Sequence, residues 1–323
     1  MTAGEAMRVL ITGAGGFVGQ HLAKKLIEML PTQAELLLTD RKANSVLNGT
    51  NVRFATLDVT QSRDVRFLIQ SERPTHIVHL AAIAAVTAAT LDVRRAWDVN
   101  FSGTQNIALA IAELLPECRL IFCSSAEVYG SSFKEGNAVD ENALLQPVNA
   151  YGAAKAAADI ALSQMALSGM RVLRLRPFNH TGPGQSTQFA IPAFAAQIAR
   201  IERGDQEPII RVGDLHSRRD FLHVEDVVSA YAKTLLQFDS LPNGAAINIA
   251  AGEALALSDA LKFLISRAGV KIDVAIDPQL LRPVDMPLVL GNPSRARNWL
   301  GWQPTQSWEA MLDSVLNFWR SET

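Results

Sequence analysis

A tyrosine and a lysine four residues apart, Tyr151 and Lys155, have the chemistry needed to pass a proton to a carbonyl oxygen. At that spacing they share one helix face, and a nearby lysine charge is expected to lower the pKa of the phenol from about 10. Ser125 follows an apolar run that is typical of a buried strand. Its hydroxyl can donate to the same oxygen and stabilise the developing charge. The ordered set predicts reduction of a carbonyl by a hydride donor.

A glycine-rich segment near the start of the chain indicates where that donor binds. Gly13, Gly16 and Gly19 lie between a short apolar run and a helical pattern, and Phe17 and Val18 fall inside the loop. Glycines at this spacing allow a tight turn and close approach of the backbone to a pyrophosphate. The following helix offers free N–H groups and a favourable dipole. The segment therefore predicts a dinucleotide site.

The choice between NAD and NADP depends on Asp40 and Arg41. Asp40 ends the second apolar run, about twenty residues after the glycines, where an acid bonds both ribose hydroxyls of NAD. Arg41 beside it could instead take the 2′-phosphate of NADP. We expect the acid to prevail, so NAD(H) is favoured and NADP(H) is the alternative. Lys155 is also expected to hold the nicotinamide ribose.

Other segments are expected to line the cofactor. The acid at the end of the third strand should lie near the adenine, and small residues ending the fourth strand should let the backbone approach. An asparagine in the next helix could bond a backbone group near the site, although an exposed or capping role suits it equally well. These residues are Asp58, Val59, Leu80, Ala81, Ala82 and Asn100.

Glu127 leaves two reactions open. It lies two residues after Ser125, close enough to enter the same site. A carboxylate there could remove a proton alpha to a ketone, as a dehydratase requires. It could equally bond substrate hydroxyls or a neighbouring backbone group, and the residue types do not decide between these roles.

Short apolar runs that alternate with helical patterns predict an α/β fold with a Rossmann-type, doubly wound parallel sheet. After Arg176-Pro177 the alternation breaks into a turn-rich stretch, and an amphipathic helix with Trp308 and Trp319 ends the chain. Strands are expected at residues 7–12, 36–39, 52–55, 76–80, 120–123, 171–175, 208–212 and 246–249. Helices are expected near residues 21–27, 191–201 and 224–236.

Composition excludes several partners. The chain has 323 residues, is 48% hydrophobic and carries a net charge of −2, so nothing global predicts binding to nucleic acid or to an anionic membrane. No apolar run is long enough to span a bilayer, and the first residues do not resemble a signal peptide. Cys118 and Cys123 lack companion residues at metal-ligand spacing, so we expect no metal site. Buried thiols suit a reducing, cytoplasmic location.

These motifs together resemble the extended short-chain dehydrogenase/reductase family. The resemblance rests on the glycine loop, Asp58-Val59, Leu80-Ala81-Ala82, Ser125 and Tyr151-x-x-x-Lys155, and it covers nearly the whole chain. It implies an NAD(P)-binding Rossmann domain and a smaller α/β C-terminal lobe for a nucleotide sugar. We expect the first at residues 1–176 plus about 221–250, and the second at 177–220 plus about 251–323.

A narrower resemblance, to the GDP-4-keto-6-deoxy-D-mannose reductases that make GDP-D-rhamnose, comes from four segments. They are Arg176–Gln185, Gln206–Gly213, Arg219-Asp220-Phe221 and Leu281-Arg282-Pro283. An asparagine in the first segment can bond a phosphate or a sugar hydroxyl, and guanidinium groups suit a diphosphate. Each arginine could instead form a surface ion pair. The expected substrate-binding residues are Ser125, Glu127, Asn179, Arg211, Arg219 and Arg282.

The sequence therefore predicts reduction of the C4 ketone of a GDP-linked 4-keto-6-deoxy hexose, with Tyr151 as proton donor. A 4,6-dehydratase or 4-epimerase of the same family is the enzymatic alternative, and an NAD-sensing binding protein is the non-enzymatic one. The family resemblance also implies a homodimer. It would form through the helix around Arg95–Leu114 and the helix that carries Tyr151, where several alanines allow close approach.

Overall fold

A parallel sheet of seven strands forms the centre of the computed structural model, which describes residues 6–42, 51–281 and 286–322. Its strands are drawn from fourteen, in chain order β1 (Arg8–Thr12), β2 (Glu35–Asp40), β3 (Val52–Thr56), β4 (His76–His79), β5 (Arg119–Cys123), β6 (Val172–Pro177), β7 (Asn179–Thr181), β8 (Ile209–Val212), β9 (Arg218–Arg219), β10 (Phe221–His223), β11 (Ala246–Ile249), β12 (Leu255–Ala256), β13 (Asp273–Ile276) and β14 (Leu288–Val289). The sheet order is β11-β6-β5-β4-β1-β2-β3.

Helices pack on both faces of this sheet, and others form a cluster away from it. They are α1 (Phe17–Met29), α2 (Ser62–Glu72), α3 (Val86–Leu91), α4 (Val93–Trp97), α5 (Gly103–Leu114), α6 (Ala150–Leu167), α7 (Ala190–Arg203), α8 (Val224–Leu236), α9 (Leu257–Ser266), α10 (Ser294–Leu300) and α11 (Trp308–Ser321). A π-helical turn, Asp98–Ser102, joins α4 to α5. One apolar core lies between the sheet and α1, α8 and α10, and a second lies between the sheet and α2, α5 and α6.

The strand order reverses between β1 and β4, and this reversal locates the site. From β1 the chain builds outward through β2 and β3, then returns to add β4, β5, β6 and β11 on the other side. In parallel sheets a crevice opens beyond the carboxyl ends of the strands at such a reversal. The loops that follow β1 and β4 border this crevice, and both carry residues expected to bind the cofactor.

The predicted α/β class with a Rossmann-type parallel sheet is confirmed, and each expected long strand lies within about one or two residues of its predicted bounds. Strand β13 and the shorter strands β7, β9, β10, β12 and β14 were not predicted. Each of the shorter strands has only two or three residues, which carry no periodic signal.

The two-lobe division of the chain stays a proposal. It is supported by a separate apolar cluster built from α7, β8, α9 and α11, away from the two cores that flank the sheet. Among the described residues, every helix is too short or too polar to cross a bilayer.

Candidate active site

The glycine loop has the backbone that a pyrophosphate site needs. Gly13 has φ +71°, and a Cβ there would lie 2.7 Å from the Ala81 backbone nitrogen. Gly16 is the N-cap of α1 and has no side-chain cap. Phe17 and Val18, which open the helix, line the same cleft as the glycines. Because no side chain covers these first-turn N–H groups, the loop fits the phosphates of a dinucleotide.

Asp40 supports the glycine loop as well as facing the cleft. Its Oδ2 accepts a hydrogen bond from the Gly15 nitrogen at 3.1 Å, and its Oδ1 accepts one from the Arg41 nitrogen at 2.7 Å. Both Asp40 and the exposed Arg41 line the cleft. The acid is therefore held in the cleft by backbone hydrogen bonds, and its contact with the adenosine ribose stays a prediction.

Asp58 and Val59 lie further along the same edge of the cleft. The Asp58 carboxylate accepts from the Thr60 nitrogen at 3.0 Å and from Arg95 at 3.4 Å. Val59 is buried against Gly103, where a Cβ would come within 2.7 Å of its side chain. Both residues therefore line the cleft, and their position beside the adenine stays a prediction.

A buried hydrogen-bond chain holds the backbone that precedes the Ala81–Ile83 loop. Thr104 Oγ1 donates to the Asn100 carbonyl oxygen at 2.8 Å, so it accepts from His79 Nε2 at 3.1 Å. His79 Nδ1 then accepts from Thr12 Oγ1 at 2.7 Å, which assigns the tautomer. Burial lowers the pKa of His79 to about 3 and keeps the ring neutral. The chain fixes the end of β4, and with it Leu80, Ala81 and Ala82, which line the cleft.

Asn100 is fully buried in the π-helical turn and bonds the backbone of one loop residue twice. Its Oδ1 accepts from the Ile83 nitrogen at 2.8 Å, and its Nδ2 donates to the Ile83 carbonyl at 3.1 Å. The Asn100 side chain therefore bonds backbone near the site, and it is neither exposed nor a helix cap. Direct contact with the cofactor stays a prediction.

Ser125, Tyr151 and Lys155 come together at the carboxyl end of β5. Ser125 follows β5, and its hydroxyl lies close enough to Tyr151, in the first turn of α6, to lower the pKa of the phenol. One turn later, Lys155 Nζ donates to the Cys123 carbonyl at 2.5 Å and lies 4.6 Å from the centre of the Phe122 ring. All three catalytic candidates are buried side chains.

The pKa of Tyr151 differs from the sequence expectation. Burial raises it to about 12 and outweighs the opposing hydrogen bond from Ser125. The expected lowering by Lys155 does not govern Tyr151 here, because the ammonium is directed to the Cys123 carbonyl. Burial also lowers the pKa of Lys155 to about 8. Tyr151 is therefore protonated at neutral pH, the form that a proton donor requires.

Glu127 is tied to the helix that carries Tyr151 through a residue that the sequence analysis missed. Its Oε2 accepts from Asn149 Nδ2 at 2.8 Å, and Asn149 Oδ1 caps α6 by accepting from the Gly152 nitrogen at 2.8 Å. Glu127 still lines the cleft. An asparagine directly before a helical pattern is an N-cap signal, so Asn149 could have been found.

Three further substrate-binding candidates line the same cleft as Ser125 and Glu127. Asn179, the exposed Arg211 and Arg219 line it. Arg219 Nη1 donates to the Met286 carbonyl at 2.7 Å and to the Arg218 carbonyl at 3.0 Å, which orients its guanidinium. Gln197, another residue missed from the sequence, accepts from the Arg211 nitrogen at 2.9 Å and positions β8. Arg282 lies outside the described residues.

One cleft of about 1090 Å³ contains the glycine loop, Ser125, Glu127, Tyr151 and Asn179. It is large enough for two ligands, since drug-sized ligand sites are about 300–1,000 Å³. His180, which also lines it, makes a local bond from Nδ1 to the Phe178 carbonyl at 2.9 Å. Among residues 6–42, 51–281 and 286–322, no group of three or more His, Cys, Asp or Glu residues could hold a metal ion.

Comparisons with known proteins agree with this geometry. A profile of the family described as GDP-mannose 4,6 dehydratase matches residues 10–315. The GDP-6-deoxy-D-mannose reductase of Pseudomonas aeruginosa is 31% identical over 97% of this chain and 97% of its own. The structure of RMD from that organism complexed with NADPH has a TM-score of 0.82 and 29% identity, covering 98% of this chain and 100% of that one. Thermus thermophilus UDP-glucose 4-epimerase complexed with NAD has a TM-score of 0.84 and 26% identity, covering 98% and 100%.

The sheet, the glycine loop and the Ser-Tyr-Lys set define an NAD(P)-dependent enzyme of the extended short-chain dehydrogenase/reductase class. Within that class the chain belongs to the GDP-mannose 4,6 dehydratase family, whose members act on nucleotide sugars. The similar proteins include a reductase, an epimerase and dehydratases, so family membership alone does not select the reaction.

Proposed function

We propose that this protein reduces the C4 ketone of GDP-4-keto-6-deoxy-D-mannose to give GDP-D-rhamnose. The observation that carries the proposal is that Ser125 and Tyr151 line one cleft with the glycine loop and Asn179. Similarity to a GDP-6-deoxy-D-mannose reductase along nearly the whole chain supports the choice of sugar and nucleotide.

The side chains divide the reaction between them. A reduced nicotinamide, when bound, supplies the hydride for C4. Tyr151 donates its phenolic proton to the C4 oxygen, while the Ser125 hydroxyl orients that oxygen and stabilises its developing charge. The Lys155 ammonium, one turn further along α6, is proposed to hold the nicotinamide ribose. Asn179, Arg211, Arg219 and Arg282 are proposed to bind the GDP-sugar.

The proposal is tested by supplying GDP-4-keto-6-deoxy-mannose with NADH or NADPH and following cofactor absorbance. Net oxidation of the cofactor with formation of the 4-hydroxy sugar is expected. A dehydratase or epimerase returns its hydride and gives no net oxidation, and a sensing protein gives no product. GDP-mannose is expected to remain unchanged. Its conversion to a 4-keto product without net NADH consumption would overturn the reductase assignment.

Replacing Glu127 distinguishes a reductase from a dehydratase. In a reductase it serves only to bind or orient, so Glu127→Gln keeps an acceptor for Asn149 Nδ2 and should lower kcat by less than about tenfold. In a dehydratase it would be the general base, and an amide cannot accept the C5 proton. Turnover of the 4-keto sugar and of GDP-mannose should be measured with both proteins. Activity on GDP-mannose that disappears in the variant would identify a dehydratase.

Asp40 is proposed to favour NAD(H), because its carboxylate repels a 2′-phosphate and is held in place by the Gly15 and Arg41 nitrogens. We expect kcat/KM with NADH to equal or exceed that with NADPH, and Asp40→Ala to shift the ratio towards NADPH by about tenfold. The similar P. aeruginosa structure contains NADPH, so a preference for NADPH is the alternative result to test. A strong NADPH preference in the unmodified protein would show that Arg41 decides.

A homodimer is proposed through α4, α5 and α6. Trp97, Leu109 and Ile160, one on each of these helices, are exposed large apolar side chains that an interface would cover. Ala154, Ala156 and Ala158 are buried within the protein itself, so only Ala153 and Ala157 keep exposure for a partner. Light scattering at micromolar concentration is expected to give twice the chain mass, and a monomer would contradict the proposal.

A further inference from the structure

A histidine on the helix that follows the glycine loop bonds two other elements at once. His21 is partly buried and lies one turn after Phe17 on α1. Its Nδ1 is 2.6 Å from Glu225 Oε1, in the first turn of α8, and its Nε2 is 2.9 Å from the Pro183 carbonyl oxygen. Pro183 follows β7 and Glu225 follows β10, and these two strands pair in parallel. The ring therefore lies between the two segments that leave this strand pair.

The two hydrogen bonds together assign a charge to the ring. A carboxylate and a backbone carbonyl only accept hydrogen bonds, so both nitrogens of His21 must donate, which only the imidazolium can do. Burial lowers the pKa of His21, but the bonds to Glu225 and to the Pro183 carbonyl outweigh it and raise that pKa above its ordinary value of 6.5. The bond from His21 also lowers the pKa of Glu225, which keeps the carboxylate ionised.

Charged groups on the neighbouring elements also act on this pair. Lys24, on α1, lowers the pKa of His21, and its effect is smaller than that of the Glu225 carboxylate. His223, the N-cap of α8, and Lys25, on α1, each lower the pKa of Glu225. Glu225 is therefore the group that keeps the His21 ring charged.

Close packing connects His21 to the cleft. The Phe17 ring packs edge-on against His21 at 5.4 Å and lies nearly parallel to the ring of His180, on β7, at 6.2 Å. Burial lowers the pKa of His180, so that ring is neutral. A Cβ on Gly182 would lie 2.5 Å from Val224 Cγ1 and 3.6 Å from Phe17 Cζ. Because Phe17 and His180 line the cleft, a shift of α1 against the segment after β7 would change its shape.

We propose that His21 is a positioning residue whose ring, protonated on both nitrogens, holds residues 182–189 against the helix of the glycine loop. The inference rests on the proposed function, which assigns Asn179 and this neighbouring segment to the GDP-sugar. Gln185 and Gln188, in the segment, line the cleft. The bonds are complete below the pKa of His21. As pH rises through that pKa, the ring keeps one N–H and one of the two bonds is lost, so the segment should bind the sugar less tightly.

Glu225→Gln separates the charge of the ring from its hydrogen bonds. An amide can turn its NH₂ group to a neutral imidazole and its oxygen to a charged one, so this variant keeps both bonds of His21 in either state. The KM for the 4-keto sugar should be similar in the two proteins near pH 6. Near pH 9 it should be about three- to tenfold higher in the unmodified protein, with similar kcat, because one hydrogen bond is lost there. Lys155, whose pKa burial lowers to about 8, is present in both proteins and cannot cause the difference.

The matched control is Glu309→Gln, which removes a carboxylate from the first turn of another helix, α11. Its KM should follow that of the unmodified protein at every pH. A purely structural role of Glu225 predicts a KM ratio between Glu225→Gln and the unmodified protein that is the same at every pH. A constant ratio would therefore overturn the proposal.

Two further measurements need no sugar. The ring titration of His21 can be followed by NMR, with its resonance identified by its loss in His21→Asn. The midpoint should lie above 6.5 in the unmodified protein and lower in Glu225→Gln. Above the first midpoint, hydrogen exchange in residues 182–189 should be faster in the unmodified protein than in the variant at the same pH.

A midpoint at or below 6.5 in the unmodified protein, or equal exchange in the two proteins, would also refute the role of His21. If no 4-keto sugar is reduced at any pH, the proposed function fails. The ring titration and the exchange rates then decide by themselves whether His21 holds the segment.

Discussion

Replacing Tyr151 with phenylalanine is expected to lower kcat for reduction of the 4-keto sugar by about 10²- to 10⁴-fold. The change removes the proton donor and nothing else from the cleft, because the ring keeps its burial beside α3 and α4. Affinity for NADH should change by less than about threefold, since a hydroxyl that acts only on the substrate oxygen does not hold the cofactor. Steady-state turnover and a fluorescence titration with NADH measure the two effects separately.

Lys155→Ala provides the contrast. Its loss should harm both turnover and NADH affinity, because the ammonium is proposed to hold the nicotinamide ribose. Turnover near normal in Tyr151→Phe would show that another group gives the proton and would refute the catalytic assignment. Since burial raises the pKa of Tyr151 to about 12, the unmodified enzyme should show no loss of activity from phenol ionisation below about pH 10.

Much of the cofactor half of the cleft could be predicted from the sequence, because its signals are local. Each signal comes from a short segment of the sequence: the Gly13–Gly19 spacing, an acid at the end of β2, and small residues at the end of β4. The switch in strand order then brings these loops to one edge of the sheet without further information. The Ser125 and Tyr151 segments obey the same rule.

The remaining features depend on contacts distant in sequence. The link from Glu127 to the cap of α6 spans 22 residues, and that from Arg176 to Tyr129 spans 47. The pKa of Tyr151 could not be predicted from a nearby lysine alone, because burial outweighs charge and Lys155 is turned towards the Cys123 carbonyl. These long-range contacts and the pKa of Tyr151 depend on how whole helices and strands pack together, which a short sequence motif does not predict.

Neither the sequence nor the position of Glu127 decides between its two alternative roles. The side chain lines the cleft and also supports Asn149, so one contact does not exclude the other. What decides the reaction is whether a carbon-bound proton is removed, which is a property of the substrate pose. The assay with two substrates is therefore more decisive than any further contact in the protein.

Gly13→Ala is expected to weaken NADH binding on the order of a hundredfold, equivalent to ~3 kcal/mol. An alanine at φ +71° costs about 1–2 kcal/mol of backbone strain. Its Cβ would also lie 2.7 Å from the Ala81 nitrogen and 2.8 Å from the Ala81 Cα, atoms that cannot rotate away. The loops after β1 and β4 must then separate, and both border the cleft.

Gly136→Ala is the control that introduces backbone strain at a positive φ without a steric clash of the new Cβ. Gly136 has φ +74° at the end of a short helical turn, and no heavy atom lies within 4 Å of its Cβ position. Gly136→Ala should lower the free energy of unfolding by about 1–2 kcal/mol, the same loss that backbone strain causes in Gly13→Ala. Its affinity for NADH should be unchanged. Denaturant unfolding and NADH titration of both variants separate the two effects. Equal NADH affinities in the two variants would show that the close approach of Gly13 to Ala81 does not shape the cofactor site.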